Sequence, residues 1–218
     1  MTRLLVSVDV GGTLCQIEGP TVATTLVAAS PLGQDDARRV IRQQLYTRPS
    51  IDAAVIAEVC DALQLPASSF PSRIQPPQLR LMSGVVAAVR SVSRHATLVT
   101  LSNVTCLDAG TDNMHALLRP WVTKHFPSYL TGYVKPDPAA FHCVADACQS
   151  SPAHMVHIGD DWDCDIIGAR TAGVTAIWVS NGRPVPEPEL LNDTGVLVAA
   201  DLIGASQHVT DLARWRRP

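Results

Sequence analysis

The stretch Leu4-Leu5-Val6-Ser7-Val8-Asp9-Val10-Gly11-Gly12-Thr13-Leu14 runs from an apolar segment into a carboxylate and then into a glycine turn. A short apolar run bounded by turn residues reads as a buried strand. Gly11 and Gly12 let the backbone turn sharply and approach a ligand closely. Asp9 ends the strand at the edge where open α/β sheets bind their ligands. A carboxylate there can act as a nucleophile or as a magnesium ligand. The same residues also make an ordinary tight turn.

Two further apolar runs end on polar groups. His95 to Leu101 ends in Ser102-Asn103, and Met155 to Ile158 ends in Gly159-Asp160-Asp161. Helices are predicted at 83–93, 111–120, 138–148 and 164–172. Strands are predicted near 129–130 and over 174–179 and 196–198. Strands spaced by helices imply a parallel sheet covered on both faces. Residues 15–79 differ. Val55, Ile56, Val59, Ala62 and Leu63 have helical spacing, and Pro66, Pro71, Pro76 and Pro77 close the region. The expectation is an α/β fold: a three-layer Rossmann-like parallel-sheet core from residues 1–14 and 80–218, with an all-helical insert at 15–79.

Composition narrows the classes of function. The 218 residues are 46% hydrophobic and 17% charged with a formal net charge of −3, which excludes a disordered chain. A near-neutral balance argues against a nucleic-acid partner. The one tight basic cluster, Arg214, Arg216 and Arg217, reads as a solvated tail. No apolar run reaches the roughly 18–20 residues that span a bilayer, so no membrane association is expected. The N-terminal run lacks the features of a signal peptide. Cys15, Cys60, Cys106, Cys143, Cys148 and Cys164 form no C-x-x-C pair, which fits buried thiols in a reducing cytoplasm.

The candidate chemistry sits at the strand ends. A hydroxyl and backbone N–H groups at Ser102-Asn103 could hold an anionic oxygen, although both residues also favour turns. Lys135 is one of two lysines in the chain and is followed by Pro136-Asp137-Pro138. Pointing inward, it could neutralise a phosphate and a carboxylate; most lysines instead face solvent. Asp160, Asp161, Asp163 and Asp165 crowd four carboxylates into six residues. Such a cluster repels itself unless a cation or hydrogen bonds compensate, and Mg²⁺ is the natural partner. Asp163 or Asp165 could also cap the next helix. Trp162 either shields the loop or packs under it. His154 and His157 lack a third ligand and read as packing or surface residues.

In this order, the motifs D-x-x-G-T-L at 9–14, S-N at 102–103, K-P-D-P at 135–138 and G-D-x-x-x-x-D at 159–165 resemble the haloacid dehalogenase (HAD) superfamily of hydrolases. Gly168 to Gly173 resembles the helix that closes the last motif. The resemblance implies that Asp9 is the nucleophile that takes up a phosphoryl group and that Thr13 orients its loop. Ser102 would bind a phosphoryl oxygen with Asn103 beside it, Gly12 would approach the substrate closely, and Lys135 would balance charge. Mg²⁺ would be held by Asp9, Gly11, Asp160 and Asp161, supported by Asp165. The insert at 15–79 falls where the family places a helical cap that selects substrate.

One position departs from the phosphatase pattern. Gly11 stands where most family phosphatases carry a second Asp, which lends a backbone carbonyl to the metal and a carboxylate to acid/base work. Gly11 keeps the first contribution and deletes the second. General acid/base help is worth about 10²–10⁴-fold, most for an alkoxide leaving group. The implied activity is a Mg²⁺-dependent phosphomonoesterase acting on a small phosphorylated metabolite, as a monomer or homodimer. Two alternatives stand beside it. One is a C–halogen hydrolase, which also lacks the second Asp; Arg42-Gln43-Gln44-Leu45-Tyr46-Thr47 resembles the dehalogenase cap segment whose Arg binds the substrate carboxylate. The other is a catalytically weak phosphate-binding relative. Phosphonate C–P cleavage would use a cap lysine, and residues 15–79 contain none.

Overall fold

A computed structural model describes residues 3–72, 77–109, 116, 118–192 and 195–215. The central element is β1 (Leu4–Val8), all five residues of which are buried. It pairs in parallel with β4 (Ala96–Ser102) on one side and β6 (Met155–Gly159) on the other. Adding β5 (Val122–Pro127), β7 (Thr175–Val179) and β8 (Val196–Ala199) gives a six-stranded sheet of order β5-β4-β1-β6-β7-β8. All pairings in this sheet are parallel. The chain winds outward from β1 through β4 to β5, then returns to β6 on the other side. The carboxyl ends of β1, β4 and β6 therefore meet where the winding reverses, the usual ligand crevice of an open sheet.

The period-2 pattern of the strands feeds two cores. Leu4, Val6, Val8, Leu98 and Ile158 pack under α4 (Val85–His95) and the C-terminal helix Leu202–Trp215, through Val89, Val92, Ala205 and Val209. Leu5, Val99, Leu101 and Trp178 face the helix Pro138–Ala147 through Phe141 and Val144. The expected three layers are present.

Residues 15–79 are not helical throughout, contrary to the sequence expectation. Their ends form an antiparallel pair, β2 (Cys15–Glu18) with β3 (Gln78–Leu81). Each alternates apolar and polar residues, Cys15 and Ile17 in one and Leu79 and Leu81 in the other, but over four residues only, too short a run to stand out. Between them lie α1 (Val22–Ala29), α2 (Gln34–Gln44) and α3 (Ala53–Ala62), which share a core of Leu26, Ile41, Leu45, Val59, Leu63 and Phe70. Thr21 and Asp52 cap α1 and α3 with side-chain oxygens. Leu107 and Asp108, beyond β4, tie this layer to the core. Leu107 packs against the helical cluster, and Asp108 Oδ1 accepts from the Val22 N–H at the start of α1 at 2.9 Å.

Other expectations shift. The region near 129–130 is a helical turn, Ser128–Thr131, and the strand precedes it as β5. The predicted helix 111–120 falls largely outside the described residues, as do Pro76, Arg216 and Arg217. Arg214 belongs to the C-terminal helix rather than to a tail. The segment expected as a helix from 164 begins as a π-helical turn, Trp162–Ile167, capped by Asp161 and not by Asp163 or Asp165. Among the described residues, no helix is long and apolar enough to cross a membrane.

Candidate active site

Asp9 is fixed by β1 at the sheet's centre, its N–H donating to the Ile158 carbonyl at 2.8 Å. Lys135 reaches it from the loop beyond β5. The lysine is 2% exposed, and its Nζ donates to Asp9 Oδ1 at 2.6 Å and to Asp165 Oδ1 at 2.5 Å. Asn103 holds the lysine's backbone from both sides, donating Nδ2 to the Lys135 carbonyl at 2.8 Å and accepting the Lys135 N–H on Oδ1 at 2.9 Å. The side chain expected beside the substrate is thus committed to positioning the lysine.

Asp165 accepts three hydrogen bonds. Oδ1 takes Lys135 and the Nε2 of His157 at 3.0 Å, and Oδ2 takes the Asp161 N–H at 3.0 Å. Burial pushes its carboxyl up, but Lys135 and His157 outweigh burial and hold it well below the usual carboxylate range. Asp9 has fewer donors. Burial raises it to about 7 against the pull of Lys135, with repulsion from Asp165 and Asp160 adding to the rise. Asp160 is also raised, by burial and then by Asp165, while Arg183 and Thr13 oppose the shift.

Asp9, Asp160 and Asp165 can each bring one oxygen within 4.8 Å of the others. Among the described residues Lys135 and Arg183 are the charged partners of these carboxylates, and a hard dication with oxygen ligands fits the remaining negative charge. Asp161 is outside that triad; its Oδ1 accepts from the Cys164 N–H at 2.8 Å. Asp9, Gly11, Ser102, Asn103, Lys135, Asp160, Asp161 and Asp165 line one cavity of about 720 Å³. Arg38 and Arg42 reach it from α2 on the opposite wall. Arg42 Nη1 also approaches Cys164 Sγ at 3.5 Å, bridging the helical layer and the core. Gly12 and Thr13 lie behind the wall. Thr13 Oγ1 donates to Asp160 Oδ1 at 3.2 Å. Gly12 has φ +80°, and a Cβ there would stand 2.5 Å from Asp160 Oδ1, so glycine is required.

Three contributors were missed or misread from sequence. His157 is fully buried and joins Ser7 Oγ (2.7 Å) to Asp165. Burial lowers its pKa, so the ring is neutral, with Nε2–H donating to Asp165 and Nδ1 accepting from Ser7. Its place at the middle of an apolar strand, two residues before the strand's end, was the available signal. Asn181 donates Nδ2 to the Gly12 carbonyl at 3.1 Å. Arg183 donates to Asp160. Both follow the carboxyl end of β7, where the rule applied to the other strands would have found them. Trp162 packs edge-on against Trp178 and donates its indole N–H to Glu187.

The fold and this crevice define an open, parallel α/β architecture with an acidic ligand site at the carboxyl ends of its central strands. A family model described as HAD-hydrolase-like matches residues 133–205. Haloacid dehalogenase-like hydrolase domain-containing protein 3 of Bos taurus is 27% identical over 150 residues, 67% of this chain and 56% of that protein. Phosphoserine phosphatase of Thermus thermophilus is 38% identical over 65 residues, 30% of this chain and 26% of that enzyme. The chain thus matches about half of one curated relative's length and about a quarter of the other's. The crystal structure of 2-haloacid dehalogenase from Pseudomonas syringae pv. tomato shares the fold, with a TM-score of 0.62 at 22% identity over 99% of this chain and 100% of that one. The match at residues 133–205 covers the Lys135 loop, β6 with its acidic residues, and β7, and the whole chain shares its fold with a solved haloacid dehalogenase.

Proposed function

We propose that the protein is a Mg²⁺-dependent phosphomonoesterase working through an aspartyl-phosphate at Asp9, with a small phosphorylated metabolite as substrate. The observation that carries this reading is the cluster of Asp9, Asp160 and Asp165, with one buried lysine joining Asp9 to Asp165. Three converging carboxylates exceed what halide displacement requires and suit a dication. Asp9, the Gly11 carbonyl and Asp160 would hold the metal, which when bound would screen the phosphoryl charge. Lys135 fixes Asp9 Oδ1 and leaves Oδ2 for in-line attack on phosphorus. Ser102 and Lys135 receive the phosphoryl oxygens. The P–O bond breaks as the Asp9–phosphorus bond forms, and water later cleaves the acyl phosphate, releasing inorganic phosphate and restoring Asp9. No carboxylate extends from Gly11 to protonate the leaving oxygen, so acyl and aryl phosphates turn over best. The layer at 22–63 acts as the cap, offering Arg38 and Arg42 to the substrate.

Gly11 and the position of Arg42 on the cavity wall favour a second reading, C–halogen hydrolysis, in which the leaving halide needs no proton. One panel separates the two. Phosphate release from aryl and acyl phosphates that requires Mg²⁺ and is abolished by Asp9→Asn supports the phosphatase. Halide release from 2-chloropropionate without Mg²⁺ overturns it.

A further inference from the structure

Arg183 has no part in the chemistry above, yet its side chain is tethered at both ends of the guanidinium. Its Nε donates to the Ser180 carbonyl at 2.9 Å. One terminal nitrogen, Nη2, shares its two N–H groups among the Asp160 carbonyl at 2.7 Å, Asp160 Oδ2 at 3.1 Å and the Val179 carbonyl at 3.3 Å. The guanidinium carbon lies 5.7 Å from the centre of the Trp178 ring. The side chain is 48% exposed and lies on the cavity wall. A free surface arginine would wander; this one is pinned by four oxygens and an aromatic face, with its charge turned to one carboxylate of the cluster.

We infer that Arg183 is a built-in counter-cation that sets the protein's affinity for its divalent metal, by sharing Asp160 with the ion and opposing it. This rests on the metal-dependent reading above. Both Asp160 oxygens are engaged, Oδ1 by Thr13 and Oδ2 by Arg183. A dication on Asp160 therefore displaces the guanidinium from Oδ2 or settles within a few ångströms of it. Either way two positive charges crowd one carboxylate, and their repulsion subtracts from metal affinity.

Two effects of removing Arg183 compete, and the contacts decide the sign. Loss of Arg183 would loosen Asp160, which would weaken metal binding. Asp160 keeps two other anchors, however: Trp178 Nε1 donates to its carbonyl at 3.0 Å and Thr13 to Oδ1. Repulsion is thus relieved while most of the positioning survives. In the metal-free protein the same arginine keeps Asp160 aimed, so the site stays assembled between binding events.

The test uses metal-free protein and reads binding rather than turnover. Mg²⁺ affinity by titration calorimetry and Mn²⁺ affinity by electron paramagnetic resonance are compared for wild type, Arg183→Gln and Arg183→Lys at one ionic strength. Arg183→Gln is expected to tighten both by about tenfold. Arg183→Lys, which keeps the charge, is expected to stay near wild type. Without metal, Arg183→Gln melts lower than wild type, and Mg²⁺ raises its melting temperature by more. Should Arg183→Gln fail to fold, Arg183→Met, which keeps the stem on Trp178, carries the same expectation. Equal or weaker metal binding in the neutral variant, or tightening in the lysine variant as well, overturns the inference while leaving the metal-dependent reading intact. Folded wild type and variant that both bind no metal overturn the two together.

Discussion

Asn103 and Lys135 are joined by a pair of reciprocal hydrogen bonds, the asparagine amide closing on the N–H and the carbonyl of the lysine's own backbone. The lysine side chain can therefore meet Asp9 and Asp165 without its loop being free to retreat. Asn103→Ala removes both bonds and should cost about 1–3 kcal/mol of stability, at a net 0.5–1.5 kcal/mol for each. Misplacing the ammonium by an ångström should cost kcat about 10²-fold with KM nearly unchanged. Steady-state kinetics and melting curves check both. A variant that loses KM and keeps kcat would return Asn103 to a substrate contact.

Gly11 is the place to restore an acid. A Cβ there would meet only the Ile17 Cδ1 tip, at 2.9 Å, and Ile17 is 43% exposed and free to turn. Gly11→Asp is therefore expected to fold. If a proton donor is all the site lacks, turnover of alkyl phosphates should rise by about 10²–10⁴-fold, while aryl phosphates gain little. Comparing the two substrate series in one variant is the measurement. A parallel change in both would mean that protonation of the leaving group is not what limits the enzyme.

The strand ends were readable because position along a parallel strand predicts where a side chain emerges. Asp9, Ser102 and Asp160 could be found from apolar runs alone. Lys135 could be suspected only because lysine is so rare here, and its burial rests on Asp9, Asp165 and Asn103, which lie far away in sequence. The division of labour among the acidic residues was not legible. Asp161 becomes the cap and Asp165 the lysine's partner because the helix begins with a wide π-turn, which periodicity does not reveal. The strands β2 and β3 were missed because each is four residues long, so the alternation of Cys15 and Ile17, or of Leu79 and Leu81, with polar neighbours runs for only two periods.

Asp108 connects the helical layer to the core by a single carboxylate. Oδ1 satisfies the Val22 N–H, and Oδ2 accepts from Thr105 Oγ1 at 2.8 Å. Asp108→Ala leaves a buried N–H without its partner at the start of α1 and should cost about 1–2 kcal/mol. Since α1 and α2 form the cavity's far wall, the loss should also raise KM more than it lowers kcat. Small-angle scattering of the variant, which reports separation of the two layers, checks the structural half. Unchanged scattering and KM would reduce Asp108 to a local cap.

The pH dependence of stability should expose the strain at Asp9. Its folded pKa is about 7 against an ordinary 3.8 for an aspartate carboxyl, so between about pH 4 and 7 the native state holds a proton that the unfolded chain has lost. Stability from this group therefore falls as pH rises through that window. Asp165 acts in the opposite sense. Its folded pKa is depressed, so its contribution is present above about pH 4 and is lost as pH falls below. His157, lowered by burial, adds stability as pH rises toward 6.5, because the unfolded ring is then losing its proton. The Asp9 share is consequently read as a difference. The melting temperature of metal-free wild type minus that of Asp9→Asn should decline from about pH 4 to 7 and level off above. Saturating Mg²⁺ should reverse the decline in wild type, since the metal binds the ionised carboxylate, and should do little for Asp9→Asn. A difference that is flat or rises across the window would mean that Lys135 already offsets the cost of burying Asp9.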